Sequence, residues 1–419
     1  MLDRTIAPPF QRTTSFELIQ PEKKTLVGGA EAYFILGGTQ DVSKVEVIFP
    51  AGRWAEKLWG VAYFSSNLLS KGTHKRSSSQ LAHLLDFYGA HLEIHPGLDF
   101  VSVCLYIHNK NFEPALNIFL ELLTESIFPK EELDLLKSIY LQNLKVNHEK
   151  TSFQASRLVR KNLFGDNHPY GKELEEADVA KIDQAALVQH YSAFFKNGTV
   201  IVAGKVSEKN KKLITDAFSF LGFSPAVRME FSNSEQQHLR SVVAKEGSVQ
   251  SSVRLAKKCI SKTHADYVDA IFLNHILGGY FGSRLMKNIR EDKGLSYGIS
   301  SSLHALKNDS YLVIGADVNC ENVTLTFDEI NKELKRLRTE KIDDEELTIA
   351  RNHFIGSLQL EITTSFAHAD KLKNIILFNL SPLHYQNMIS RIDALSAEDL
   401  MHVAERYFTE DSFIEIAVG

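Results

Sequence analysis

Ile289-Arg-Glu-Asp-Lys-Gly-Leu-Ser-Tyr-Gly298 places a guanidinium and a phenol on either side of a Lys-Gly pair. Both groups donate hydrogen bonds, and both suit an acceptor oxygen. Arg290 is expected to end a helix, Lys293-Gly294 to turn the chain and residues 295–303 to begin a strand, which would bring Arg290 and Tyr297 to one side of the turn. Residue types alone leave two plainer readings open: a surface ion pair of Arg290 with Glu291 or Asp292, and a half-buried strand position for Tyr297.

Metal chemistry is harder to find. His91-Leu-Glu-Ile-His95 carries two histidines four apart, but it falls where a strand is expected. Four residues of strand span about 13 Å, too far for two rings to meet one ion at about 2 Å. His148-Glu149 ends a helix without an evident partner. Cys104, Cys259 and Cys320 are an odd number with no Cys-x-x-Cys spacing, which implies neither a disulfide framework nor a thiolate zinc site. Cys104 and Cys320 lie in strand-like runs and read as small core residues. In Leu277-Gly-Gly-Tyr-Phe-Gly-Ser-Arg-Leu285, Gly278 and Gly279 permit a tight turn, with no downstream Gly-Lys-Ser/Thr to make it a phosphate loop.

The elements that must position these groups follow from periodicity. Residues 32–36 and 44–49 read as strands, followed by an amphipathic helix from Gly60 and another over residues 79–88 that Gly89 stops. Strands at 91–95 and 100–108 come next, then helices over 114–127, 130–146, 152–164 and 184–195 and a buried strand at 198–204. The order then starts again. Glu131-Glu-Leu133 has a counterpart in Glu345-Glu-Leu347, Lys181-Ile-Asp183 in Arg391-Ile-Asp393, and Phe64 in Phe272, at offsets of 208 to 214 residues. Duplicated halves explain these offsets. The expected organisation is a tail (1–20), a first half (21–221), a polar linker (222–246) and a second half (247–419). Strands and helices in blocks indicate an α+β class, two α/β-sandwich halves with antiparallel-rich sheets and helices on one face, facing each other as a clamshell.

The 419 residues are 44% hydrophobic and 24% charged with a net charge of -5, a soluble globular composition of two to four domains. There is no basic run for nucleic acid and no apolar run of about 20 residues for a membrane span. The first ten residues lack a targeting pattern, so a cytoplasmic chain is expected.

Gly60-Val-Ala-Tyr-Phe-Ser-Ser-Asn-Leu-Leu-Ser-Lys-Gly-Thr73, taken with residues 250–255, 266–267, 277–285 and 289–298 in order, closely resembles the pitrilysin/insulinase family of zinc peptidases, in its processing-peptidase-like branch. The resemblance runs from about Leu26 to Gly419. Where that family carries Gly-x-x-His-x-x-Glu-His, this chain has Tyr63, Ser66 and Asn67, and at the place of the remaining glutamate ligand it has Asn143. A phenol and carboxamides are poor zinc donors at neutral pH, and a hydroxyl cannot act as a carboxylate base.

The resemblance implies that Arg290 and Tyr297 bind the substrate backbone, with Gly278, Gly279, Ser283 and Arg284 as the supporting loop. It further implies a non-catalytic subunit of a heterodimeric zinc endopeptidase, with no cofactor of its own. The implied partners are a homologous zinc-bearing subunit and an extended peptide. Two alternatives stand beside it: a structural or peptide-binding homologue without a peptidase role, and a peptidase active alone through an unrecognised site.

Overall fold

The structure, a computed structural model, describes residues 5, 16–223, 231, 239–409 and 412–419. Most of the expected tail and of the polar stretch around Ser232-Asn-Ser-Glu-Gln-Gln237 therefore lies outside the described residues.

Eleven strands form two sheets among the described residues. The first sheet contains β1 (Glu22–Thr25), β2 (Glu31–Leu36), β3 (Val42–Phe49), β4 (His91–Pro96), β5 (Val101–His108) and β6 (Thr199–Gly204), in the order β1-β2-β6-β3-β5-β4. Only β2 and β6 pair in parallel; the other four pairings are antiparallel. The second sheet contains β7 (Arg240–Val243), β8 (Gln250–Lys258), β9 (Ile299–Ala305), β10 (Ser310–Asn319) and β11 (Ile414–Val418), in the order β7-β11-β8-β10-β9. The mixed α/β class and the two-sheet organisation are as expected. The helices read from periodicity are all present within two or three residues of their expected ends.

By its contacts the chain divides into two compact units. The first holds Ile19–Arg254, Thr364–Asn374 and Ile414–Gly419, and the second holds Leu255–Thr363, Ile375–Phe413 and the described part of Met1–Leu18. The division runs through β8. β7 and β11, which pair in parallel, both belong to the first unit.

In the first unit, alternation along β3 sends Val45, Val47 and Phe49 into one apolar core with Phe64, Leu68 and Phe119, as a period of two dictates. The opposite face of β3 carries Lys44 and Glu46. Both are buried, and they form ion pairs with each other at 2.9 Å, with Asp370 at 2.8 Å from Lys44 and with Lys373 at 2.9 Å from Glu46. Burial pushes the Glu46 carboxyl up, but the two lysines outweigh it and hold it at about 2.

The two units share a packing feature. Phe64, on the helix Val61–Leu68, meets Tyr140, on the helix Lys130–His148, at 5.6 Å between ring centres. In the second unit Phe272, on Tyr267–Asn274, meets Phe354, on Asp344–Leu360, at 5.9 Å. Cys320 departs from expectation: it opens a turn after β10 and is exposed, whereas Cys104 is buried within β5. No helix among the described residues is long and apolar enough to cross a membrane.

Candidate functional site

The helix Val61–Leu68 is held at its start by Glu56. This buried carboxylate accepts from the backbone N–H of Gly60 at 3.0 Å and of Ala62 at 2.9 Å, two of the donors that a helix leaves unpaired at its first turn. Gly60 makes the entry with φ +93°, a conformation that glycine adopts without a steric penalty. Burial raises the Glu56 carboxyl to about 7, against the pull of the two N–H groups and Arg53. An acidic residue just ahead of a helix start is the signal in the sequence that identifies it.

Along this helix the polar side chains turn back on their own backbone. Ser66 Oγ donates to the Ala62 carbonyl at 2.6 Å and Asn67 Nδ2 to the Tyr63 carbonyl at 2.8 Å. Tyr63 packs its ring against Tyr140 at 5.3 Å, and burial raises its phenol pKa further, which makes it a poorer anionic donor still. Asn143 is on the facing helix Lys130–His148 and is exposed. A hydroxyl, two carboxamides and a neutral phenol do not fit a zinc ion. No group of three or more His, Cys, Asp and Glu side chains among the described residues is arranged to hold a metal. His91 and His95 instead each approach Glu93 at 3.3 Å, from either side along β4.

The second unit builds the donor site. After Asn274 the helix widens through His275–Gly279, and Gly278 leaves helical geometry at φ -159°, ψ 17°. A Cβ on Gly278 would lie 2.7 Å from the Ser301 side chain, and one on Gly279 would lie 2.8 Å from His275 Nδ1. These glycines therefore admit close packing against β9 and against an imidazole. Arg284 is 9% exposed and grips Glu346 through two hydrogen bonds, both of 2.8 Å. This bidentate pair pins the loop to the helix Asp344–Leu360. Ser283 is buried beside it, with its Oγ unpartnered.

Arg290 lies in the helical segment Met286–Asp292, and Gly294 turns the chain at φ +61°. The strand expected over residues 295–303 starts only at Ile299. Residues 295–298 form an irregular loop instead, in which Ser296 Oγ lies 2.8 Å from both the Gly298 and Asp317 carbonyls, donating its one proton to either, and accepts from the Gly298 N–H at 3.2 Å. That loop throws Tyr297 outward, 89% exposed. Among the described residues the Arg290 guanidinium makes no pair with Glu291 or Asp292. It lies between two rings, 4.9 Å from the centre of Tyr297 and 4.6 Å from that of Phe281. Phe281 is itself 60% exposed. Sequence reasoning missed Phe281, although it stands among the residues quoted for the loop; its signal is a large aromatic in a glycine-rich turn that no apolar period buries.

Residues 37–177 match the family model described as Insulinase (Peptidase family M16), and residues 182–354 match the one described as Peptidase M16 inactive domain. The chain belongs to the insulinase (M16) peptidase family, as a member of the inactive type. It is 24% identical over 84% of its length to 86% of an uncharacterized zinc protease, YmxG, of Bacillus subtilis. It is 23% identical over 81% of its length to 80% of the non-peptidase homolog YmxG of Helicobacter pylori. The beta subunit of the mitochondrial-processing peptidase of Saccharomyces cerevisiae is 20% identical over 90% of this chain and 86% of its own. A crystal structure of a peptidase M16 inactive domain from Pseudomonas fluorescens superposes with a TM-score of 0.87 at 21% identity, covering 95% of this chain and 98% of that one.

Proposed function

We propose that this chain is the substrate-binding, non-catalytic subunit of a heterodimeric zinc endopeptidase, lending Arg290 and Tyr297 to the active site of a zinc-bearing homologous partner. The single observation that carries this reading is the exposed pair itself. A guanidinium held between two aromatic faces keeps its N–H edges available, and a phenol stands in solvent beside it. Two of the positions that would need a metal donor or a base, Ser66 and Asn67, are instead bonded to their own helix.

In this role Arg290 and Tyr297 hold the carbonyl of an extended peptide and stabilise the negative charge that develops on its oxygen. They need supply no proton transfer. Gly278, Gly279, Ser283 and Arg284 keep the loop in register. The reading puts the protein in the cytoplasm, with the catalytic zinc held by the partner.

Capture of the chain from its native cell tests it. The expected result is a co-eluting chain of similar size that carries His-x-x-Glu-His, with chelator-sensitive peptide hydrolysis. In that pair Tyr297→Phe and Arg290→Ala each lower kcat by about 10²-fold, the usual cost of one oxyanion donor. Capture of copies of this chain alone, without hydrolysis, overturns it. A purely structural or peptide-binding role is the second reading, supported by the name of the Helicobacter pylori relative. Under that reading neither substitution changes any peptidase activity.

A further inference from the structure

A second pair of facing side chains lies away from Arg290 and Tyr297. His275, at the end of the Tyr267–Asn274 helix, points its Nε2 at His353 Nδ1 on the Asp344–Leu360 helix, 3.1 Å away. Two nitrogens bound to one ion at about 2.1 Å stand about 3.4 Å apart in tetrahedral geometry and about 3.0 Å apart at a right angle. The observed separation falls between these limits. Binding requires each ring to tilt so that the two lone pairs converge on the ion rather than on each other.

We propose that His275 and His353 form a binding site for a divalent transition-metal ion of the imidazole-preferring class, such as zinc, nickel or copper. Both rings are flanked by aromatic side chains. Tyr280 stacks on His275 at 4.7 Å and 12° and lies 4.6 Å from His353, while Phe354 meets His275 edge-on at 5.1 Å and 90°. Gly279 leaves the room behind the His275 ring that any side chain would fill. His275 is 9% exposed and His353 lies at the surface, so an ion has an inner anchor and an outer entrance. Ser357 Oγ, 3.5 Å from His353 Nδ1, is placed to hold one of the waters that complete the shell.

In the absence of an ion the same nitrogens share one proton, since a hydrogen bond between neutral imidazoles needs one donor and one acceptor.

The repeat explains how these residues came to face each other. The offset that relates Phe64 to Phe272 puts His275 at the counterpart of Asn67, and the offset that relates Tyr140 to Phe354 puts His353 at the counterpart of Ile139. The same packing of two helices thus presents an internally bonded carboxamide in one unit and two imidazoles in the other.

The test uses the full chain, stripped with chelator and titrated with nickel or cobalt chloride by calorimetry, with the visible spectrum of bound cobalt as a second readout. One ion per chain is expected, carrying imidazole-to-cobalt bands. Affinity should fall at least about tenfold in His353→Gln, whose exposed position leaves folding intact, and also in His275→Gln. The double substitution His91→Gln with His95→Gln should leave binding unchanged. Absence of stoichiometric binding overturns the proposal, as does binding of equal strength in His353→Gln. Neither result bears on the subunit role, which does not depend on this site.

Discussion

The two units solve one packing problem and then diverge in chemistry. Each brings a short helix against a long one through an aromatic contact, Phe64 with Tyr140 and Phe272 with Phe354. In the first unit the neighbouring polar groups, Ser66 and Asn67, are used up on their own helix. In the second, His275 reaches across to His353 and Arg284 reaches across to Glu346. A scaffold held by apolar contacts is indifferent to the polar residues beside them, so one copy can lose its reactive groups while the other carries new ones.

If the two pairs are equivalent supports, removing the shared aromatic should hurt both alike. Phe64→Ala and Phe272→Ala, each at a fully buried position, should each cost about 3–5 kcal/mol, the range for a large core cavity. Denaturant unfolding measures this, and a small effect in only one would break the equivalence. The cross-helix ion pair, by contrast, belongs to the second unit alone. Arg284→Ala leaves the partly buried Glu346 without its bidentate partner, which should cost about 1–3 kcal/mol. The loss should speed amide hydrogen exchange in the Asp344–Leu360 helix and spare Lys130–His148.

Acid acts on a buried histidine in each unit, His190 in the first and His275 in the second. His190, buried in the first unit with its Nε2 3.0 Å from the Ala51 carbonyl, is pushed down to about 4 by burial, against the pull of that carbonyl. Below its ordinary value of 6.5 the unfolded chain takes up a proton that the folded chain refuses. Stability is therefore lost as pH falls from 6.5 toward about 4, by about 2 kcal/mol at about pH 5. Comparing wild type with His190→Gln at matched pH isolates this contribution; parallel curves would exclude it. The smallest contrast lies in the capping boxes, Ser77 with Gln80 in the first unit and Ser396 with Asp399 in the second. Ser77→Ala and Ser396→Ala should each cost about 1 kcal/mol, with thermal unfolding as the readout.

The sequence by itself determined the elements and their repetition. Period-two runs gave β3 and β5, period-3.6 runs with Ser77 and Gly89 at their ends gave the helices, and offsets of 208 to 214 residues suggested two halves, whereas the compact units interleave segments from along the chain. These signals are local, because a strand or helix writes its buried face into residues two to four apart. The missing ligands at Tyr63, Ser66, Asn67 and Asn143 were legible only through the resemblance to the family's motif, because the residues alone read as ordinary helix positions. Tertiary structure decided what the remaining groups face. The distance in sequence from His275 to His353, or from Arg284 to Glu346, carries no period that predicts contact. The outward set of Tyr297 depends on a Ser296 hydroxyl meeting the Asp317 carbonyl, and the position of Cys320 on where β10 ends. Such contacts arise only when two helices or a loop and a strand are packed against one core, and their chemistry is a property of that packing.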